Sequence, residues 1–167
     1  MNYKDEAKND AKTTACAFQD EIFESFMDHH GEASSDFLND YSDSYHHENH
    51  QPDYTLLEAA NVLRDLPEHE ETDSGLWDGL KPQEAVCAQA SYTYGNAVMH
   101  CFRELIKEIN EELSELWDEH EAVEDEVDDE LKDVLSDEEL EDRDEEVEKR
   151  QEVVKEKIKA KIKEMVA

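Results

Sequence analysis

Between residues 104 and 148 the chain holds 24 Asp and Glu against three Lys or Arg. Repulsion at that density opposes any compact fold unless apolar burial, counterions or a partner offset it. The same stretch carries Leu105, Ile106, Ile109, Leu113, Leu116, Trp117, Val123, Val127, Leu131 and Val134. Most of these fall three or four residues apart, the spacing of one helix face. A disordered acidic tail lacks such a stripe. The stretch is therefore constrained to be helix, with one face buried and its carboxylates turned to solvent.

At 1.5 Å per residue, 45 helical residues span roughly 68 Å, or about one carboxylate per 3 Å. Duplex DNA carries one negative charge per ~1.7 Å of its axis. Two such helices side by side approach that density. A solvated helix face is the plainer reading of an acidic run; a surface presenting carboxylates where DNA presents phosphates is the sharper one. The formal net charge of −32 over 167 residues exceeds what solubility needs. It disfavours nucleic acid as a ligand and favours a basic partner, among which DNA-binding proteins with basic clefts are prominent.

The rest of the chain points to an all-α fold. Four Gly and three Pro are few turn signals, and long helices use fewer than many short strands. Residues 1–12 are polar and read as a frayed N-terminus. A helical core is expected over 13–101. Its first helix, capped by Thr13 or Thr14, carries Ala15, Phe18, Ile22, Phe23, Phe26 and Met27 and ends at His29-His30-Gly31. A short second helix carries Phe37, Leu38, Tyr41 and Tyr45, and residues 46–53 read as a loop. Pro52 and Asp53 open a third helix that Pro67 ends. Residues 68–79 read as a linker with an Asp73-Ser74-Gly75 turn and two anchors, Leu76 and Trp77. The fourth helix starts at Pro82, and Gly95 within it marks either close packing or a break.

An acidic arm over 102–167 follows. Ser136-Asp137-Glu138-Glu139 matches a capping box, so the long helix is expected to break near Leu135 and another to start at Asp137. The last helix carries Leu140, Val147, Val154, Ile158, Ile162 and Met165, a narrow stripe compatible with a coiled coil. From 149 to 167 the charge reverses, with seven Lys or Arg against three Glu. Two arrangements follow. In one the chain turns back as an antiparallel hairpin that neutralises part of its own charge. In the other a continuous helix pairs with a second chain.

No catalytic signature is present: there is no GxGxxG, Walker loop, GxSxG or HExxH. Abundant carboxylates do not make an acid–base pair without geometry and shifted pKa values, so no enzyme activity, catalytic residue or cofactor is expected. Cys16, Cys87 and Cys101 lack CxxC spacing and read as small buried apolar residues. His46, His47 and His50 form an HHxxH pattern among acids, but zinc sites need a defined ligand set, and surface histidines with no metal are the expectation. No apolar run reaches ~18 residues, which gives no membrane span. The polar N-terminus lacks a signal-peptide core, and a cytoplasmic location is expected.

Two segments resemble the Ocr-like anti-restriction proteins of phages. The first is Asp73-Ser74-Gly75-Leu76, followed by Gln89-Ala90-Ser91-Tyr92 and then an acidic amphipathic helix. The second runs from Phe37 to Leu66, around Gln51-Pro52-Asp53-Tyr54. The likeness covers residues 37–116. It implies a mostly helical, homodimeric mimic of bent duplex DNA that occupies the DNA clefts of restriction–modification enzymes or related phage-exclusion systems in the host bacterial cytoplasm. This chain departs from that pattern in its Lys-containing C-terminal extension and its His-rich loop.

On this reading the partner-binding, phosphate-mimicking residues are Glu108, Glu111, Glu112, Glu115, Asp118, Glu119, Glu121, Glu124, Asp125, Glu126, Asp128, Asp129 and Glu130. The partner is a basic DNA-binding protein, with neither nucleic acid nor membrane bound. The alternative is an acidic coiled-coil adaptor or chaperone that binds a basic protein without DNA-like spacing.

Overall fold

The computed structural model describes residues 2–36, 54–131 and 140–167. Among these the protein is all-α, with no strand. The helices are α1 (Tyr3–Ala17), α2 (Gln19–Asp28), α3 (Leu56–Asp65), α4 (Pro82–Leu131) and α5 (Leu140–Val166), with short 3-10 turns at Pro67–His69 and Ser74–Trp77. The expected helix over 37–45, the loop over 46–53 and the expected break and restart at Leu135 and Asp137 lie outside the described residues. The described chain forms two compact units: Met1–Ala17 with Ser35–Ile106, and Phe18–Ser34 with Lys107–Ala167.

In the first unit, residues 3–12 are helical where the sequence suggested a frayed arm. Ala7, Ala11 and Ala15 recur every four residues and are buried, and alanine is the strongest helix former. Asn2 Oδ1 accepts the Lys4 amide at 3.0 Å, closing the first turn as a cap does. The methyl face of α1 lets its neighbours approach closely, and α1 packs on α3. Tyr94 of α4 donates its hydroxyl to Asp10 Oδ2 at 2.5 Å. The Tyr3 ring meets those of Tyr54 and Tyr94 edge-on at 6.2 and 6.3 Å, a favourable aromatic geometry. Val62, Leu66, Val98 and Phe102 complete the core.

Pro52 and Asp53, expected to open the third helix, lie outside the described residues, and α3 as described begins at Leu56. Thr55 caps it through a full capping box: its Oγ1 accepts the Glu58 amide at 3.3 Å, and Glu58 Oε2 accepts the Thr55 amide at 2.8 Å. Leu66 and Pro67 end it as expected. Pro82 starts α4, and the Lys81 amide donates to Glu84 Oε2 at 3.1 Å. The helix continues through Gly95 without a break.

The segment read as a linker is fastened to α4 instead. Gln89, Thr93, Asn96 and His100 recur at spacings of four, three and four, so they share one helix face. Gln89 Nε2 donates to Glu70 Oε1 (2.9 Å) and to the Glu71 carbonyl (3.2 Å). Thr93 Oγ1 accepts the Glu71 amide at 3.1 Å. Asn96 Nδ2 donates to the His69 carbonyl and to Glu71 Oε2, both at 3.3 Å. Leu76 is no anchor, being 44% exposed, and Trp77 is half-buried.

The expected first helix is in fact two, and the second of them belongs to the second unit. α1 stops at Ala17, Phe18 leaves the helical conformation, and α2 begins at Gln19. Ile22 and Phe26 of α2 are fully buried. α2 ends in a Schellman motif: the Gly31 amide donates to the Phe26 carbonyl at 2.8 Å and the His30 amide to Met27 at 3.3 Å. His30 and Gly31 both have positive φ, 54° and 88°. Gly31 lies against the Trp117 indole so closely that a Cβ would overlap the ring.

Asn110 clamps the chain just beyond, accepting the Ala33 amide at 2.8 Å and donating to the Ala33 carbonyl at 3.0 Å. Trp117 meets Phe26 edge-on at 5.8 Å and stacks on His120 at 5.0 Å. Ile109, Leu113, Val123 and Val127 of α4 and Val147, Val154, Ile158, Ile162 and Val166 of α5 are buried. Met165 is only half-buried, with Val166 taking the buried place beside it.

Candidate partner-binding surface

The apolar stripe fixes which residues of α4 face inward, and its remainder is acidic. Between 107 and 131 there are thirteen Asp and Glu and one Lys. Those thirteen carboxylates are the expected phosphate-mimicking set, from Glu108 to Glu130. Every one of them is exposed, and all lie in the second unit.

α5 runs back along this part of α4, as its ion pairs require. Of the two arrangements open in the sequence, the antiparallel hairpin is the one present. Arg143, whose side chain is 17% exposed, is held by three carboxylates. Its Nε and Nη2 reach Asp128 at 2.7 and 3.0 Å, Nη2 reaches Glu124 at 3.0 Å, and Nη1 reaches Asp144 at 2.9 Å. Arg150 meets both oxygens of Glu130, at 3.1 and 2.7 Å, and Glu146 at 2.7 Å. Lys157 meets Glu119 at 2.6 Å. The two-pronged Arg pairs use the planar guanidinium fork that matches a carboxylate. Hydrogen bonds from Arg143 and Arg150 hold Asp128 and Glu130 below the usual carboxylate range, and the same bonds push both guanidiniums above theirs.

These contacts divide the thirteen. Glu119, Glu124, Asp128 and Glu130 are paired with α5. Among the described residues Glu108, Glu111, Glu112, Glu115, Asp118, Glu121, Asp125, Glu126 and Asp129 have no ion-pair partner. These nine span 22 residues, ~33 Å of helix, at about one per 3.7 Å; one strand of duplex DNA carries a phosphate per ~3.4 Å. Glu111, Asp118 and Asp125 recur every seven residues, with Glu108, Glu115 and Asp129 beside them. They form a continuous row on one side of the helix. α5 itself carries nine acids against eight bases, so the excess charge of the hairpin resides on α4.

Other sequence expectations sit apart from this surface. Cys16 is exposed, against the expectation of burial, because α1 turns its alanine face inward and leaves position 16 outside. Cys87 and Cys101 are half-buried, and burial raises the Cys101 thiol above its ordinary range. Trp117 packs within the second unit, as a packing anchor does. His46, His47 and His50 lie outside the described residues. Among the described residues no group of three or more His, Cys, Asp or Glu gathers as a metal-holding set, and no helix is long and apolar enough to cross a membrane. Sequence reasoning did not single out Arg143, a cation inside the acidic tract, although an isolated Arg in the first turn of α5 was a visible signal. Comparison with protein-family models, curated proteins and solved structures finds no match for this chain.

Proposed function

We propose that the protein is a DNA mimic that inhibits a DNA-binding defence enzyme, of the restriction–modification or phage-exclusion kind, by occupying its DNA cleft. The observation that carries this reading is the set of nine unpaired, exposed carboxylates, six of them in a continuous row, whose mean spacing is nearly the charge spacing of one DNA strand. A fixed helix holds them in register, so a cleft lined by Lys and Arg meets them as it meets phosphates. Long-range attraction speeds the encounter, and added salt weakens it. The resemblance to Ocr-like proteins points the same way and adds a homodimer, in which a second copy supplies the other strand's charge.

The test is capture of partners from bacterial lysate at low salt, followed by elution with duplex DNA and mass spectrometry. Release of a restriction, exclusion or other DNA-processing enzyme by DNA is the expected result. Partners that DNA cannot displace would instead favour the adaptor reading, in which acidity is recognised without DNA-like spacing. Changing the nine unpaired residues to Gln or Asn together abolishes inhibition on the mimic reading; full inhibition by that variant would sink it.

A further inference from the structure

The polar stripe of α4 that fastens residues 69–71 ends in an imidazole pair. His69 closes the 3-10 turn, and His100 lies one helical turn beyond Asn96, which itself holds the His69 carbonyl. The two ring centroids are 4.9 Å apart, with planes tilted by 42°. Among the described residues neither ring makes a hydrogen bond. Four ring nitrogens in a small space are therefore uncommitted, although the backbone around His69 is fully engaged. Burial, then the neighbouring His100, holds His69 below the ordinary histidine range.

We propose that His69 and His100 form a two-histidine site for a late first-row divalent metal ion (zinc, copper or nickel), with water completing the coordination shell. Imidazole nitrogen suits these ions, whereas magnesium and calcium take oxygen ligands. At ~2.05 Å per metal–nitrogen bond, two imidazoles sharing one ion at 90–109° have centroids roughly 4.5–5.2 Å apart. The observed 4.9 Å falls inside that interval. His100 is exposed, so water and the ion can reach the pair from solvent.

The nearby charges are accounted for. Lys4 is paired with Glu68 at 2.9 Å, Glu70 is bonded to Gln89 and Glu71 to Asn96. Glu68 favours a cation at His69 and its partner Lys4 opposes it, while Asn96 and Gln89 keep the turn in place. The site joins the turn to α4, so the ion binds the folded first unit and stabilises it by mass action.

The test uses the full chain carrying His46→Gln, His47→Gln and His50→Gln, which removes the separate HHxxH pattern. After treatment with a chelator, Zn²⁺ is titrated calorimetrically, and imidazole NMR follows each histidine. The expected result is one equivalent bound per chain, with resonances of His69 and His100 moving together. Adding His100→Gln or His69→Gln to that background weakens binding about tenfold or more, and the Zn²⁺-induced rise in melting temperature disappears. His100 is exposed, so its replacement leaves the fold intact and tests the site by itself. Zn²⁺ affinity unchanged by His100→Gln would overturn the proposal. So would a loss of all binding in the His46/His47/His50 variant.

Discussion

At the scale of single residues, three positions carry identifiable free energy. Gly31 combines a positive φ with contact against the Trp117 ring. Gly31→Ala places a Cβ in both a disfavoured backbone region and an occupied volume, and is expected to cost about 1–3 kcal/mol. Urea unfolding followed by Trp117 fluorescence in a Trp77→Phe background measures it. Thr55→Ala removes one half of a capping box and is expected to cost about 1 kcal/mol, read as a fall in melting temperature.

His120 gives a pH dependence. Its Nε2 is buried without a partner among the described residues. Burial first, then Lys155 on α5, lowers its pKa, while Glu121 on its own helix opposes the shift. The folded state therefore keeps this ring neutral, whereas the unfolded chain protonates it near its ordinary value. Its contribution is intact above pH ~6.5 and is lost as pH falls through that value toward the lower folded pKa. The urea midpoint of the wild type is expected to drop between pH 7.5 and 5.5 by more than that of His120→Gln; equal drops would refute the assignment.

The elements show what was legible in the sequence and what was not. Pro82, the Pro67 stop and the buried stripe of α4 follow from local rules, because proline geometry and a 3.6-residue period depend on little else. α1 was missed because alanine carries a weak hydrophobic signal: Ala7, Ala11 and Ala15 matter through closeness of approach, which appears only when the neighbouring helix is in place. The Thr55 capping box was passed over in favour of Pro52. The fastening of residues 69–71 was illegible for a different reason. Gln89, Thr93 and Asn96 look like an interruption of an apolar helix until the turn they hold is known. The thirteen acids were readable as an exposed set, but their division was not, since it depends on the register of α5.

That register yields a prediction at the same scale. Ile158 of α5 is fully buried, and Ile158→Ala is expected to cost about 2–5 kcal/mol, measured by urea unfolding.

For the molecule as a whole, the division of carboxylates separates structure from binding. Neutralising Glu111, Asp118 and Asp125 removes three unpaired charges; neutralising Glu119, Glu124 and Asp128 removes the same number of charges already met by Lys157 and Arg143. On the mimic reading the first triple variant loses much more affinity for a DNA-cleft partner, and its binding depends less steeply on salt. Equal losses would show that only total charge matters. The two units bear on how the chain is made. Unit one takes residues from before and after unit two's first segment, and α2 belongs with α5. During synthesis, Asp28 precedes Leu140 by 112 residues. At ~5–20 residues per second that is roughly 6–22 s in which α2 waits on the ribosome without α5. Ile22 and Phe26 spend that interval without their final covering. The steps from nascent chain to finished hairpin are thus ordered by the chain's own connectivity, and no single cut releases either unit whole.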